Sequence, residues 1–388
     1  MFFAFVLFIC HHSVPRPLRL AVASVNHDIT APTYRPSPEQ FAEPIQYIEF
    51  IKMHASVYGI CCVQPPQEWN VKYLSSLFLT ETTYLCNVLC LVSMSYFQPE
   101  CVISTHQRFC TEVQHVHRMR HRFSSTTQTL ECMRRHHANH NESRFEVPAL
   151  FGIELDLPAL SNAVAKLGGT SALGNDFKAW QKVLEALNLP KERVRKVFDA
   201  YTTHVLAYDS LSEKEKQRLL EQVSSDESQG RLDLTCVCAG KWKSLDEFFT
   251  AAQHVHKRFE LPSDVTPDDV ESRYFSLVNG GESQVSVLSA CVDTSNCGGG
   301  FPKNASSPYA KHGWNFNQLQ RNPASILNVL GDVSGVTTPE LHIRMLFSTA
   351  CWSSDPHGLP FISYLHTGSD IIWFESQTAM SGTAILNV

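Results

Sequence analysis

Between Pro148 and Val223 apolar residues recur every three or four positions in four successive runs, the period of helices that each bury one face. Asp156 can cap the first, Pro158 falls in its first turn, and Leu157, Leu160, Val164 and Leu167 form one stripe that Gly168 and Gly169 end. The second follows Asn175 or Asp176, turns Phe177, Trp180, Leu184 and Leu187 inward, and stops at Pro190. The third starts at Lys191, with Val194, Val197, Phe198, Tyr201, Val205 and Tyr208 inward. Ser212 and Glu215 make a capping box for the fourth, which buries Leu219, Leu220 and Val223. Short connections and one stripe per helix predict a helical bundle.

Other patterns are shorter. In Ala31–Asn70 the prolines at 32, 36, 38 and 44 favour an extended lead-in. Ile45, Ile48, Ile51 or Lys52, Ala55 and Tyr58 then follow a helical period that Gly59 can cap, and the run from Ile60 to Val63 reads as a short strand closed by Pro65 and Pro66. Ser224–Gln229 is a polar link. Ser244 with Glu247 predicts another capped helix, with Leu245, Phe248, Phe249, Ala252 and Val255 or His256 at helical spacing. From Phe347 to Phe374 the chain reads as apolar strands rich in aromatics.

Composition narrows the class. The 388 residues suffice for two or three domains, and the 43% hydrophobic share suits folded protein. A net charge of −6 argues against wholesale coating of nucleic acid, so any such binding is local. Thirteen cysteines show neither a C-x-x-C pair nor the spacing of a disulfide framework, so reduced thiols are expected. Cys236, Cys238, Cys291 and Cys297 fit no common zinc spacing and read as buried thiols. The run Phe2–Cys10 precedes Ala21-Val22-Ala23, which resembles a leader-cleavage site, but it lacks a basic start, and no leader is expected. Thr82–Phe97 is 16 residues long, short of the ~20 that cross a bilayer, so no membrane partner is expected. His106–Arg144 holds seven arginines, seven histidines and three acids; its imidazoles could hold zinc, but a basic solvated linker that touches phosphate is the simpler reading.

Charge within the bundle points to chemistry. Lys178, Lys182, Lys191, Arg193, Arg195 and Lys196 stand against two acids in the same stretch, and four of them crowd the first turns of the third helix. There the helix dipole disfavours cations by about 0.3–1 kcal/mol each. A partner with negative charge removes that conflict, and a helix–short turn–helix step with a basic second helix is a geometry that enters the DNA major groove.

Three stretches carry resemblances. Arg35-Pro36-Ser37, Phe41, Pro44, Tyr47-Ile48, Gly59, Pro65-Pro66 and Trp69 strongly resemble the JmjN domain. The bundle, with its Gly168-Gly169 helix end, Trp180 helix and Tyr201 to Tyr208 helix, closely resembles the ARID DNA-binding domain. That likeness implies double-stranded DNA as a partner, AT-rich in preference, with Lys178 and Lys182 on phosphate and Lys191, Arg193, Arg195 and Lys196 at the recognition end. From Gly313 to Phe374 the chain resembles the N-terminal half of a JmjC domain, the double-stranded β-helix of iron- and 2-oxoglutarate-dependent histone demethylases.

Active JmjC proteins place a His-x-Glu or His-x-Asp pair after a strand like the one ending at Trp352. Here Ser353 and Asp355 hold those positions, and Ile371 stands where the lysine that grips 2-oxoglutarate is expected. Fourteen residues follow Phe374, and the second histidine is not among them. Asp355 is therefore read as a vestigial ligand position. His357 and His366 do not replace the lost ligand, no metal or cofactor is expected, and the chain is expected not to be an enzyme.

The resemblance is to the catalytically silent branch of the JmjN–ARID–JmjC family. It implies a nuclear corepressor that contacts chromatin and histones and accompanies the Polycomb methyltransferase complex; a degenerate demethylase is the alternative. The expected architecture is a multidomain α+β protein. It has an irregular apolar segment (1–30), a small α/β JmjN unit (31–69), an apolar insertion (70–98), a basic histidine-rich linker (99–144) and an all-α ARID bundle (145–223). A linker with a small helical segment (224–311) and a partial JmjC β-helix (312–388) complete it.

Overall fold

A computed structural model describes residues 2–8, 32–42, 44–55, 62–63, 66, 108–140, 145–259, 265–280, 283–294, 310, 315–319, 325–350, 361–367, 369 and 371–372. Strand β1 (Phe2–Phe8) opens the chain. The pair β2 (Thr33–Tyr34) and β3 (Cys62–Val63) is parallel and flanks helix α1 (Pro44–Ala55). Phe41, Ile51, Ala55 and Val63 form a small core there, with Tyr47 edge-on to Phe41. The expected Gly59 cap and the run at 82–97 lie outside the described residues. No helix among those described is long and apolar enough to cross a membrane.

Strand β4 (Arg108–His115) leads through a 3-10 turn, Val116–Arg118, into α2 (Ser125–His140). A tight hairpin, β5 (Ala149–Leu150) and β6 (Ile153–Glu154), precedes α3 (Leu157–Lys166), the short α4 (Gly169–Leu173), α5 (Phe177–Ala186), α6 (Val194–His204), the single-turn α7 (Leu206–Asp209) and α8 (Glu213–Ser228). The chain then returns as β7 (Val237–Ser244), followed by α9 (Leu245–Arg258), α10 (Pro267–Gly280), β8 (Ser286–Asp293), the short α11 (Phe316–Leu319), β9 (Glu340–Arg344) and β10 (Phe361–Thr367).

Six strands form one sheet in the order β10-β1-β9-β8-β4-β7, with every neighbouring pair antiparallel. Alternation of side chains decides its two faces. In β9, Leu341 and Ile343 are fully buried while Glu340, His342 and Arg344 are half-buried. The apolar face, with Phe109, Ala290 and Val292, packs on Phe248, Ala251, Ala252 and Val255 of α9. The other face is polar, and Ser289 there donates to Glu112 Oε2 at 3.1 Å. Gly240 lets β7 approach a bulge in β4, because a Cβ there would lie 2.8 Å from the Thr111 carbonyl oxygen.

The bundle is inserted between the neighbouring strands β4 and β7. Its core holds Leu130 and Met133 of α2 together with Leu157, Leu160, Trp180, Val183, Leu184, Val197 and Tyr201. Trp180 is buried against Phe198 and donates its indole N–H to the Gly174 carbonyl at 3.1 Å. A satellite cluster of Cys132, Leu219 and Val223 seats α8 on α2, and Arg135 pairs with Asp226 across the same two helices.

Several expectations need correction. Residues 2–8, expected as part of an irregular segment, form a strand between β9 and β10. The expected linker at 99–144 contains β4, interior to the sheet, and a 16-residue helix of the bundle. Two of its imidazoles serve the fold: His115 meets Ser286 Oγ at 3.0 Å, and His117 accepts the Val285 N–H at 3.0 Å. The expected linker at 224–311 supplies β7 and β8 as well as two helices of 14 residues each. The sheet expected from 312–388 thus draws four of its six strands, β1, β4, β7 and β8, from earlier segments, since antiparallel pairing needs partners that are close in space and not in sequence.

Candidate nucleic-acid interface

The six candidate cations lie on α5, on α6 and on the turn between them. Asp176 caps α5 by accepting the Lys178 N–H at 2.9 Å, and the apolar spacing that sends Trp180, Val183 and Leu184 inward leaves Lys178 and Lys182 exposed one turn apart. The helix ends at Asn188, whose φ of 51° places it in the left-handed region. Leu189 N–H bonds to Leu184 O at 2.8 Å and Asn188 N–H to Glu185 O at 3.2 Å, the two bonds of a Schellman end. Pro190 then starts a 3-10 turn, Lys191–Arg193, that runs directly into α6.

No side chain caps α6, and its opening residues are basic. Arg195 and Lys196 are exposed there, while Val197 and Ala200 are buried. A shallow groove of about 280 Å³ lies beside Lys196, lined by Pro148, Leu150, Leu155 and Thr203 among others.

The other two cations are engaged within the chain. Lys191 Nζ lies 2.6 Å from Glu185 Oε1. That pairing raises the lysine pKa and lowers that of the carboxylate, although both groups are exposed. Arg193 sits over the Phe151 ring at 4.5 Å, and His254 of α9 stacks on the same ring. Phe151 and Gly152, with φ of 54° and 86°, form the turn of the β5–β6 hairpin that aims the ring. Burial is the main cause that lowers the His254 pKa, with Lys257 and Arg193 adding to it. Sequence periodicity singled out neither Phe151 nor His254; the only local signal was a Phe-Gly pair between Ala149-Leu150 and Ile153.

The interface is held against the sheet. Asp156 is buried at the start of α3 and accepts Ala159 N–H at 2.9 Å and Gln284 N–H at 2.7 Å. Arg258 stands 3.9 Å from the same carboxylate. Ser286 donates to Glu154 at 3.0 Å, and Gln284 Nε2 donates to the Thr126 carbonyl at 3.1 Å. These bonds tie α2, β6 and α3 to the lead-in of β8.

At the JmjC-like end, Ser353 and Asp355 lie outside the described residues. Ile371 is half-buried and aliphatic.

Comparison with known sequences follows this division. Residues 32–65 match the jmjN domain, and residues 125–209 match the ARID/BRIGHT DNA binding domain. The second match begins at α2, twenty residues before the bundle expected from periodicity. The chain is 30% identical over 423 aligned residues to Protein Jumonji of Gallus gallus, covering 88% of this chain and 32% of that protein. It is 26% identical over 359 residues to the putative lysine-specific demethylase JMJ16 of Arabidopsis thaliana, covering 89% and 23%. To the probable inactive lysine-specific demethylase JMJ19 of the same plant it is 22% identical over 367 residues, covering 92% and 37%. The chain spans roughly a quarter to two fifths of the length of these curated relatives. With an N-terminal JmjN segment, a helical ARID bundle and this kinship along most of its length, the chain belongs to the Jumonji family of JmjN–ARID–JmjC proteins.

Proposed function

We propose that the chain is a non-catalytic, DNA-binding chromatin regulator that acts in the nucleus. The observation that carries this reading is the exposure of Lys178, Lys182, Arg195 and Lys196 on two helices joined by a short turn inside the ARID match. Solvated cations on that step meet backbone phosphates without first breaking internal contacts, and the groups at the start of α6 gain most from an anion. Lys191 and Arg193 complete the recognition end once Glu185 and Phe151 release them. AT-rich duplex is the expected preference. Chromatin and the Polycomb methyltransferase complex are the partners that kinship suggests.

The test is fluorescence anisotropy of the full chain with AT-rich and GC-rich duplexes across a salt series. Tight, salt-sensitive binding is expected, and Arg195→Ala with Lys196→Ala should lower the slope of log K against log salt by about 1.8, two phosphate contacts. An unchanged slope would remove these residues from the interface, and no binding at low salt would overturn the reading.

The enzymatic alternative is a degenerate iron- and 2-oxoglutarate-dependent oxygenase, favoured by the demethylase name of JMJ16. The residues present do not fit that chemistry. Serine at 353 is a poor iron ligand beside imidazole, and the Ile371 side chain has neither charge nor N–H to offer a carboxylate. Turnover of 2-oxoglutarate by the iron-loaded chain would reverse this conclusion.

A further inference from the structure

The polar face of the sheet gathers three metal-ligating side chains from two strands. Cys291 of β8 and His342 of β9 are directly opposed in the antiparallel register, and Glu340 lies diagonal to Cys291, two residues before His342. Cys291 Sγ lies 3.0 Å from Glu340 Oε2 and 3.9 Å from His342 Nε2, and the last two atoms are 3.8 Å apart. A tetrahedral zinc ion with bonds of about 2.3 Å to sulfur and about 2.0 Å to nitrogen and oxygen spaces such ligands at roughly 3.3–3.6 Å. The observed triangle brackets that range, so small rotamer changes would close it on one ion.

The surroundings suit a cation. Ser334 Oγ donates to Glu340 Oε1 at 3.2 Å, which fixes the carboxylate and leaves Oε2 toward the thiol. Glu340 and His342 are half-buried while Cys291 is exposed, so the triad is anchored yet open to entry. Arg344 and Glu112 flank the thiol with opposite charges.

We propose that Cys291, Glu340 and His342 form a binding site for a borderline-soft divalent ion, zinc first, with a fourth position open to water. The thiol proton, now directed at Glu340, leaves to solvent as the thiolate–metal bond forms. One thiolate and one carboxylate then balance the two charges of the ion, and the neutral imidazole supplies the third bond. The set is soft enough to exclude magnesium and calcium, which select oxygen ligands. Its three ligands are other residues than Ser353 and Asp355, which hold the family's iron-ligand positions in the sequence.

The experiment uses the purified full chain and Co²⁺ as a spectroscopic stand-in, displaced by Zn²⁺. A thiolate-to-cobalt charge-transfer band at one equivalent is expected, lost in Cys291→Ser and weakened at least tenfold in affinity in His342→Ala. A band that survives Cys291→Ser comes from another of the thirteen cysteines and overturns the assignment. A second measurement needs no variant: peptide-mapped alkylation should show Zn²⁺ protecting Cys291 while the exposed Cys110 reacts as before. Equal alkylation of Cys291 with and without Zn²⁺ would overturn the site.

Discussion

The carboxylate of Asp156 accepts the Gln284 backbone N–H at 2.7 Å, joining residues 128 positions apart while its other oxygen caps α3. Burial raises the pKa of this acid; the two N–H donors and the nearby Arg258 act in the opposite sense. Replacing Asp156 with Ala removes a cap worth about 1 kcal/mol and strands a buried N–H at a cost of about 1–3 kcal/mol. The expected loss is about 2–4 kcal/mol in urea unfolding followed by near-UV dichroism, with a smaller loss for Asp156→Asn.

Lys191 is the candidate DNA contact with an internal competitor. An exposed ion pair such as Lys191–Glu185 is weakened by water and salt, so phosphate can displace the carboxylate. Glu185→Gln should therefore tighten duplex binding at low salt and steepen its salt dependence, because it frees a cation and removes an anion at once. Anisotropy titrations at two salt concentrations check this, and weaker binding would place the DNA elsewhere.

His117 is buried, accepts a backbone N–H through Nδ1, and has its pKa lowered to about 3 chiefly by that burial. An unfolded histidine titrates near 6.5, so the unfolded chain takes up the proton first. The stability this group confers is complete above about pH 6.5 and is lost as pH falls toward 3. The loss at pH 5 is about 2 kcal/mol. His117→Asn, whose amide oxygen can accept the same N–H, should flatten the difference between unfolding at pH 7.5 and pH 5.

Trp180 anchors the bundle that presents the basic step. Its replacement by Ala should cost about 3–5 kcal/mol, visible as a lower thermal midpoint, and should abolish DNA binding together with the fold. Ser212→Ala removes one arm of a complete capping box and should cost only about 1 kcal/mol with binding intact.

The helices of the bundle were legible because their signals are local. Asp156, Asp176 and Ser212 cap as spacing predicts, and Leu157, Leu160, Trp180 and Leu184 are buried as the period requires. The strands were not. In β8 five consecutive residues from Ser286 to Ala290 are buried, so no alternation marks it; β4 carries Arg108, Glu112 and His115, which read as solvated. The partners of β4 lie more than a hundred residues away and β9 lies about fifty residues from β8, so the Cys291–His342 pairing exists only once β8 and β9 are in register. The basic step was readable as a cluster, but the engagement of Arg193 by Phe151 depends on how a two-residue turn is aimed.

Because the bundle is inserted between β4 and β7, synthesis on the ribosome imposes an order. Strand β4 emerges early, yet its neighbour β7 is made only after the whole bundle, and its neighbour β8 only after α9 and α10 have followed as well. The helices, whose contacts are largely local, can pack while β4 waits with its edges unpaired. The nascent chain therefore passes through a stage in which a finished DNA-binding unit is tethered to an unpaired strand. That stage is where chaperone capture and aggregation should concentrate, and a mutation that delays β8 would lengthen it without touching the basic step of α5 and α6.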